Sequence, residues 1–295
     1  MSDATAVFEA ERPRLRAVAY RMLGSMTDAD DVVQDAWLRW HRLGDAGRAE
    51  VDHPPAWFTT TTTRLALDRL KSAQRRREEY VGPWLPEPVL TDDDPAESVA
   101  LAESLTLGFL AVLERLAPVE RAVFLLSDVF DEPFRSIAPI VGRSEDACRQ
   151  IASRARRRVR EERPRFDLPE GRDERDRLVD AFMSACLRGD VEEFRKVLAD
   201  DVVLVSDGGA EVHAARRPVR GVARVARLFG NLTRRLPDDI GVEVHHVNGE
   251  PGFVVSREGR PWYVIALEVT GDRVVAIRLV INPDKLRHVG AAATP

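Results

Sequence analysis

Apolar residues recur every three or four positions through most of the first 160 residues, then give way to β-rich runs after about residue 200. Phe8, Leu15, Val18, Ala19 and Met22 outline an amphipathic first helix ending near Gly24. A second helix is predicted after Thr27 as N-cap, with Asp28, Asp30 and Asp31 in the first turn, where the helix dipole favours acids. Val32, Val33, Ala36, Trp37 and Trp40 would face inward, and Asp31, Gln34, Asp35 and Leu38 outward. Beyond Pro54-Pro55 a third helix should run from Trp57 to about Glu79, burying Leu65, Ala66 and Leu70. Within it Thr59 to Thr63 favour strand on propensity, and the helical flanks decide for helix.

Gly142 lies between two short helical patterns and can take the positive φ of a helix–turn–helix corner. Ser144 is the expected N-cap of the following helix, with Glu145 and Asp146 in its first turn and Ala147, Ile151 and Ala155 on one face. The other face carries Arg149, Gln150, Ser153 and Arg154, which suit purine edges in a major groove, followed by Arg156, Arg157, Arg158 and Arg160, which suit phosphates. Pro139 falls inside the first helix of the pair and is expected to shorten or kink it.

After Arg165 the pattern changes. Leu178, Phe182 and Cys186 mark a helix stopping at Gly189, Val191 to Leu198 another, and Val202 to Val205 a strand entering Asp207-Gly208-Gly209. A helix from about Val222 to Leu236 precedes β-rich runs near 241–247, 251–256, 261–269 and 273–281. Helices followed by a curved antiparallel sheet predict an α+β cone.

Composition limits the chemistry. The chain has 295 residues and two cysteines, Cys148 and Cys186, so no disulfide scaffold and no metal or cofactor site is expected. No apolar run approaches a membrane span and no signal peptide is read, which predicts a cytoplasmic protein with no membrane partner. The net charge of −5 is unevenly spread: arginines dominate between Arg135 and Arg163, acids between Glu87 and Glu103. Between these helical modules Tyr80-Val81-Gly82-Pro83-Trp84-Leu85-Pro86-Glu87-Pro88 reads as a proline-stiffened linker whose Trp84 and Leu85 need a covering surface.

Three ordered blocks, Asp28 to Asp35, Trp57 to Lys71, and Leu113 to Phe124 ahead of the helix–turn–helix, resemble those of extracytoplasmic-function (ECF) sigma factors over residues 1 to about 163. The remainder resembles the SnoaL-like, NTF2-like fold, and the whole chain resembles the ECF group carrying that domain as a C-terminal extension, through Trp84-Leu85-Pro86-Glu87-Pro88, Asp207-Gly208-Gly209 and Asn282-Pro283-Asp284-Lys285-Leu286. Ala210 stands where that glycine motif usually has a third glycine, and Arg64 where the −10 helix often has asparagine.

The resemblance implies a multidomain chain: a helical region 2 (1–79), an acidic linker (80–97), a region 4 helix–turn–helix (98–164), a second linker (165–174) and a SnoaL-like regulatory domain (175–290). It implies promoter-specific initiation as a subunit of RNA polymerase. Asp31, Gln34, Asp35 and Leu38 would dock on the coiled coil of the largest core subunit, with region 4 at the flap. Trp57, Arg64, Asp68, Arg69, Lys71 and Arg75 would meet the −10 element, and Arg149, Gln150, Ser153, Arg154 and Arg157 the −35 element of promoter DNA. Trp84, Leu85, Pro86, Asp207, Gly208, Gly209, Asn282, Pro283, Asp284, Lys285 and Leu286 would form a regulatory interdomain contact, and a small-molecule ligand in the C-terminal domain is a candidate partner.

Two other readings compete. A one-component helix–turn–helix regulator would need neither the acidic second helix nor the −10-like third helix. A SnoaL-like enzyme fused to a DNA-binding module would use Asp207 as base with His213, His245 and His246, although adjacent histidines on a strand point to opposite faces.

Overall fold

The computed structural model describes residues 3–78, 80–91, 105–162, 172–188 and 191–289. They fall into two compact units, one drawn from 1–79 and 112–162 and the other from 80–111 and 163–295. The expected linker segments 92–97 and 165–171 lie outside the described residues.

The first unit begins with α1 (Asp3–Leu23), α2 (Met26–Arg42), a short α3 (Gly44–Ala49) and α4 (Pro54–Glu78). The cap of α2 is Ser25 rather than Thr27: its hydroxyl accepts from the Asp28 N–H at 3.2 Å, so the helix starts earlier than expected. The threonine run in α4 is helical because Thr59, Thr61, Thr62 and Thr63 are buried, so tertiary packing overrides the strand preference of β-branched residues. Trp40 centres an aromatic cluster, 5.1 Å from the Trp57 ring and 5.0 Å from Phe58.

Helix α5 (Leu107–Leu113) leads into α6 (Pro118–Phe124), a π-helical turn (Leu125–Val129), α7 (Phe134–Val141) and α8 (Glu145–Glu162). Arg121 of α6 is fully buried, and its Nη1 donates to the Met22 carbonyl at 2.7 Å and to Glu114 Oε1 at 2.6 Å. The helix–turn–helix segment and the α1–α4 bundle are thereby packed as one body. Desolvation pulls the Arg121 guanidinium down to about 9, still charged at neutral pH.

The second unit contains α9 (Arg172–Arg188), α10 (Val191–Val197), β1 (Leu198–Asp207), β2 (Val219–Arg220), α11 (Val222–Thr233) and strands β3 (Ile240–Val247), β4 (Glu250–Arg257), β5 (Arg260–Thr270) and β6 (Arg273–Val280). A final turn, α12 (Pro283–Leu286), follows. The sheet order is β2-β1-β6-β5-β4-β3. It is mixed rather than antiparallel, because β1 pairs with β6 in parallel, Asp207 opposite Val280. The intervening helix and hairpins supply the long crossover a parallel pair requires.

Both faces of this sheet are apolar. One packs on α9, α10 and α11 through Phe182, Phe194, Phe229 and Phe253. The other presents Val205, Val247, Val254, Val264, Ala266 and Val280, and is covered by Leu85, Leu107, Leu286 and Val289. The same face carries Glu250, Glu268 and Arg278. Arg278 Nε donates to Glu268 Oε1 at 2.6 Å, whereas neither Glu250 oxygen finds a hydrogen-bond partner among the described residues. Burial, then the neighbouring Glu268 charge, holds the Glu250 carboxyl well above its usual range. Gly108 makes the close approach of α5 feasible, since a Cβ there would lie 2.2 Å from Glu268 Oε1.

Two outcomes test this packing. Arg121→Ala strands the Met22 carbonyl and Glu114, and should lower the stability of the first unit by about 3 kcal/mol in urea denaturation. Glu250 binds its proton more tightly folded than unfolded, so its contribution to the second unit's stability is fully present below the ordinary carboxylate pKa and is lost as pH rises toward the elevated one. Glu250→Gln should flatten that decline and raise the melting temperature at neutral pH; an unchanged slope would contradict it.

Candidate functional site

The segment expected to bridge the helical modules folds against the second unit around one carboxylate. Asp207 ends β1 fully buried, and its oxygens accept four hydrogen bonds. Tyr80 Oη donates to Oδ1 at 2.5 Å and the Gly209 N–H at 3.1 Å; the Leu85 N–H donates to Oδ2 at 2.7 Å and Lys285 Nζ at 2.6 Å. Lys285 Nζ also donates to the Leu85 carbonyl at 2.5 Å and sits 4.0 Å from the centre of the Trp84 ring. Asn282 caps α12, accepting from Asp284 N, and its Nδ2 donates to Tyr80 Oη at 2.8 Å. Burial and the adjacent Asp207 raise the Tyr80 phenol far above its usual range, so it remains a donor.

The glycine pair is sterically required. A Cβ on Gly208 would lie 2.4 Å from the Val212 carbonyl, and one on Gly209, at φ +64°, would lie 2.8 Å from Asn282 Nδ2. Ala210 is exposed, so no third glycine is needed here. The structure therefore brings Trp84, Leu85, Asp207, Gly208, Gly209, Asn282 and Lys285 into one clasp. Pro86 and Leu286 are buried beside it, while Pro283 and Asp284 are exposed.

Two further anchors were not legible in the residues. Leu90 bridges to Val247, the Thr91 N–H donates to the His246 carbonyl at 2.9 Å, and the Val89 N–H donates to Asn248 Oδ1 at 2.8 Å, so the segment adds a short strand to the edge of β3. Asn248 Nδ2 then donates to the Leu105 carbonyl at 2.9 Å. In the sequence Asn248-Gly249 signals only a hairpin turn; the positive φ of Asn248, +54°, fits that turn while its amide is spent on the linker.

In the first unit, Asp31, Gln34 and Leu38 are exposed on α2 and Asp35 is half-buried. Arg69 of α4 reaches across to this face, 2.9 Å from Asp28 and 3.0 Å from Asp31. Arg64 is not directed to solvent alone: its Nη2 donates to the Pro139 carbonyl at 2.8 Å. Arg14 bonds both Glu132 and the Thr59 hydroxyl. Trp57 lies half-buried in the aromatic cluster, Asp68 and Lys71 are exposed and paired at 3.0 Å, and the side chain of Arg75 lies outside the described residues. Thr59, Thr61, Thr62 and Thr63 of α4 are buried, so they are not presented to DNA as base contacts.

The helix–turn–helix matches its expectation closely. Gly142 takes φ +66° after α7, which accommodates Pro139 within its eight residues, and Ser144 caps α8 by accepting from the Ala147 N–H at 3.2 Å. Ile151 and Ala155 are buried as expected, joined by Cys148, Ala152 and Val159, while Ala147 is only half-buried; Arg149, Gln150, Ser153, Arg154 and Arg157 are all exposed. Arg149 is held at 2.9 Å by Glu145 and 2.7 Å by Asp146.

The catalytic arrangement considered for the cone is not assembled. Asp207 is spent in the clasp, while of the histidines His213 lines the apolar cavity and His245 and His246 lie on β3. Among the described residues no helix is long and apolar enough to cross a membrane, and no group of three His, Cys, Asp or Glu side chains could hold a metal ion.

Comparison with known proteins agrees with these elements. Residues 7–76 match Sigma-70 region 2, residues 107–159 Sigma-70 region 4, and residues 179–281 the SnoaL-like domain. The ECF RNA polymerase sigma factor SigJ of Mycobacterium tuberculosis is 39% identical over 94% of this chain and 91% of its own length. The probable ECF RNA polymerase sigma factor SigI of the same species is 31% identical over 96% of this chain and 94% of its own. The crystal structure of M. tuberculosis SigJ superposes with a TM-score of 0.74, at 36% identity, covering 95% of this chain and 97% of that one. Likeness over the full length, with both sigma regions present, does not favour a one-component regulator. The chain belongs to the extracytoplasmic-function RNA polymerase sigma factors, with a SnoaL-like domain at its C-terminal side.

Proposed function

We propose that the exposed face of α2, with Asp31, Gln34, Asp35 and Leu38, docks on core RNA polymerase, that α4 engages the −10 element and that α8 reads the −35 element. The observation that carries the DNA assignment is the solvent-facing row Arg149, Gln150, Ser153, Arg154 and Arg157 on a capped helix behind a left-handed glycine turn. Arg154 and Arg157 flank an open groove with Ser153, suited to the phosphate backbone. Leu38, a large apolar side chain 41% exposed among acids, supports a protein partner for α2.

The second unit acts, in this reading, on the sigma module through the connector. Tyr80 to Thr91 is held at the Asp207 clasp and the β3 edge, and Leu105 to Gly108 at Asn248 and Glu268, so the chain joining the two promoter-binding modules is fixed on both sides of residues 92–104. The modules themselves are packed together through Arg121, Arg14 and Arg64, an arrangement in which α4 is partly engaged by the helix–turn–helix segment. Engaging both promoter elements then requires that packing to open, and the hold on the connector biases the closed-to-open equilibrium. No catalytic role is assigned to the SnoaL-like domain.

Asp207→Asn removes the charge that compensates buried Lys285 while preserving shape. Amide exchange at Leu85 should accelerate at least about tenfold, a loss of about 1.4 kcal/mol or more in local protection, and promoter-specific runoff transcription with core polymerase should change in parallel; faster exchange with unaltered transcription would sink the regulatory reading. Arg154→Ala and Arg157→Ala should each weaken promoter binding by the holoenzyme and make its logarithmic salt dependence shallower by about one. Unchanged slopes in filter binding would remove α8 from the DNA interface.

A further inference from the structure

Helix α11 turns one side to solvent, and that side is arginine. Val225, Ala226, Phe229 and Gly230 are buried, which anchors the helix along its opposite side. At the helical period Arg224, Arg227 and Asn231 fall in line on the outer side, all exposed. The chain continues through one more turn, closed by the Arg235 N–H on the Leu232 carbonyl at 3.0 Å, which adds Arg234 and Arg235 to the same row. Arg216, Arg217 and Arg220, also exposed, lie on the segment that enters α11 through β2. No aspartate or glutamate occurs from Val212 to Pro237.

None of these seven arginines forms an ion pair or side-chain hydrogen bond among the described residues. The cations of α8 differ: Glu145 and Asp146 hold Arg149, Asp128 holds Arg156 and Glu120 holds Arg158. Arg224 also stands in the first turn of α11, where the helix dipole disfavours a cation, and like charges three or four residues apart repel. Folding gains nothing from this concentration of charge, whereas a polyanion laid along it relieves both penalties.

The neighbouring side chains separate the possible polyanions. Among the described residues the large hydrophobic side chains that reach solvent are Leu38, Leu43, Val81 and Val244, none of them on this face, so the apolar anchors of a protein interface are missing. Phe229 is the one Phe, Tyr or Trp between Val212 and Pro237 and it is buried, so unstacked bases have no ring to lie on. A duplex fits instead. From Arg224 to Arg235 the row runs about 16 Å, over which double-stranded DNA displays about ten phosphates. Cations with a single amide among them neutralise phosphates and read little sequence.

We propose that this face lies on the sugar–phosphate backbone of duplex DNA, independently of base sequence, and gives the second unit a DNA contact of its own besides those assigned to α4 and α8. The contact depends on neither the clasp nor its hold on the connector.

Two triple variants of the full chain test it, Arg224→Gln/Arg227→Gln/Arg234→Gln and Arg224→Lys/Arg227→Lys/Arg234→Lys. All three positions are exposed, and glutamine and lysine are good helix formers, so neither variant should lower the melting temperature. On a random-sequence duplex, followed by fluorescence anisotropy across a NaCl series, the glutamine variant should bind at least about tenfold more weakly at about 0.1 M salt, with a logarithmic salt dependence shallower by about 0.9 for each arginine removed. The lysine variant keeps the charges and should stay within about threefold of wild type, with the slope retained. In the holoenzyme the glutamine variant should weaken promoter binding while its affinity for core polymerase stays at the wild-type value. An unchanged salt slope in the glutamine variant, or a lysine variant as weak as the glutamine one, would overturn the DNA contact. A loss confined to core polymerase binding would overturn it too, by making an acidic protein surface the partner.

Discussion

The ion pair between Asp207 and Lys285, sealed from water at the end of β1, is the constraint on which the second unit's hold over the connector depends. Two buried charges are tolerable only when their remaining hydrogen-bonding capacity is met. Here the missing partners come from outside the cone: Tyr80 and the Leu85 N–H complete the carboxylate, and the Leu85 carbonyl and the Trp84 ring complete the ammonium. Without the connector both charges would need water in its place. The pair therefore acts less as a source of net stability than as a demand for one particular occupant, and the rigid Gly208-Gly209 turn fixes where that occupant must lie.

Apolar area makes the same demand. A mixed sheet with helices on one side usually leaves its other face to solvent or to a partner subunit, yet this face presents a row of valines from β1, β3, β4, β5 and β6. Leu85 and Leu107, near opposite ends of the connector, are the residues that cover them together with Leu286 and Val289. Each fully buried leucine contributes roughly 2 kcal/mol of transfer free energy, so the connector is held by burial as well as by polar bonds.

Much of this was readable from residues because local signals and tertiary context agree. The helix–turn–helix emerged from Gly142 and Ser144, whose backbone and capping requirements are local. The strands of the cone followed from runs of β-branched residues, with ends within a few positions of those observed. The parallel pairing of β1 with β6 was missed because alternation along a strand carries no information about which neighbour it meets. Clasp residues such as Asp207 and Lys285 were found only through motif resemblance. Asn248, Glu250 and Arg278 lie in segments that read as an ordinary turn and strand, and their roles depend on partners 100 or more positions away or on a neighbouring strand. Tyr80 and Asp207, at |i−j| = 127, likewise have no local signature of their bond.

On the proposed reading, the first unit supplies what the clasp acts upon. Arg64, on the helix expected to meet the −10 element, and Arg14 of α1 are bonded to Pro139 and Glu132 of the region 4 half. These partners are a carbonyl and a part-exposed carboxylate, interactions worth about 1 kcal/mol each and replaceable by phosphate. Arg121 differs: fully buried, it spans the same junction to the Met22 carbonyl and is costly to expose. The closed arrangement thus combines peripheral bonds that DNA can replace with one central bond that it cannot reach. On the reading proposed above, opening is driven by binding energy from polymerase rather than by promoter DNA alone, because the buried Arg121 bond is one that DNA does not replace.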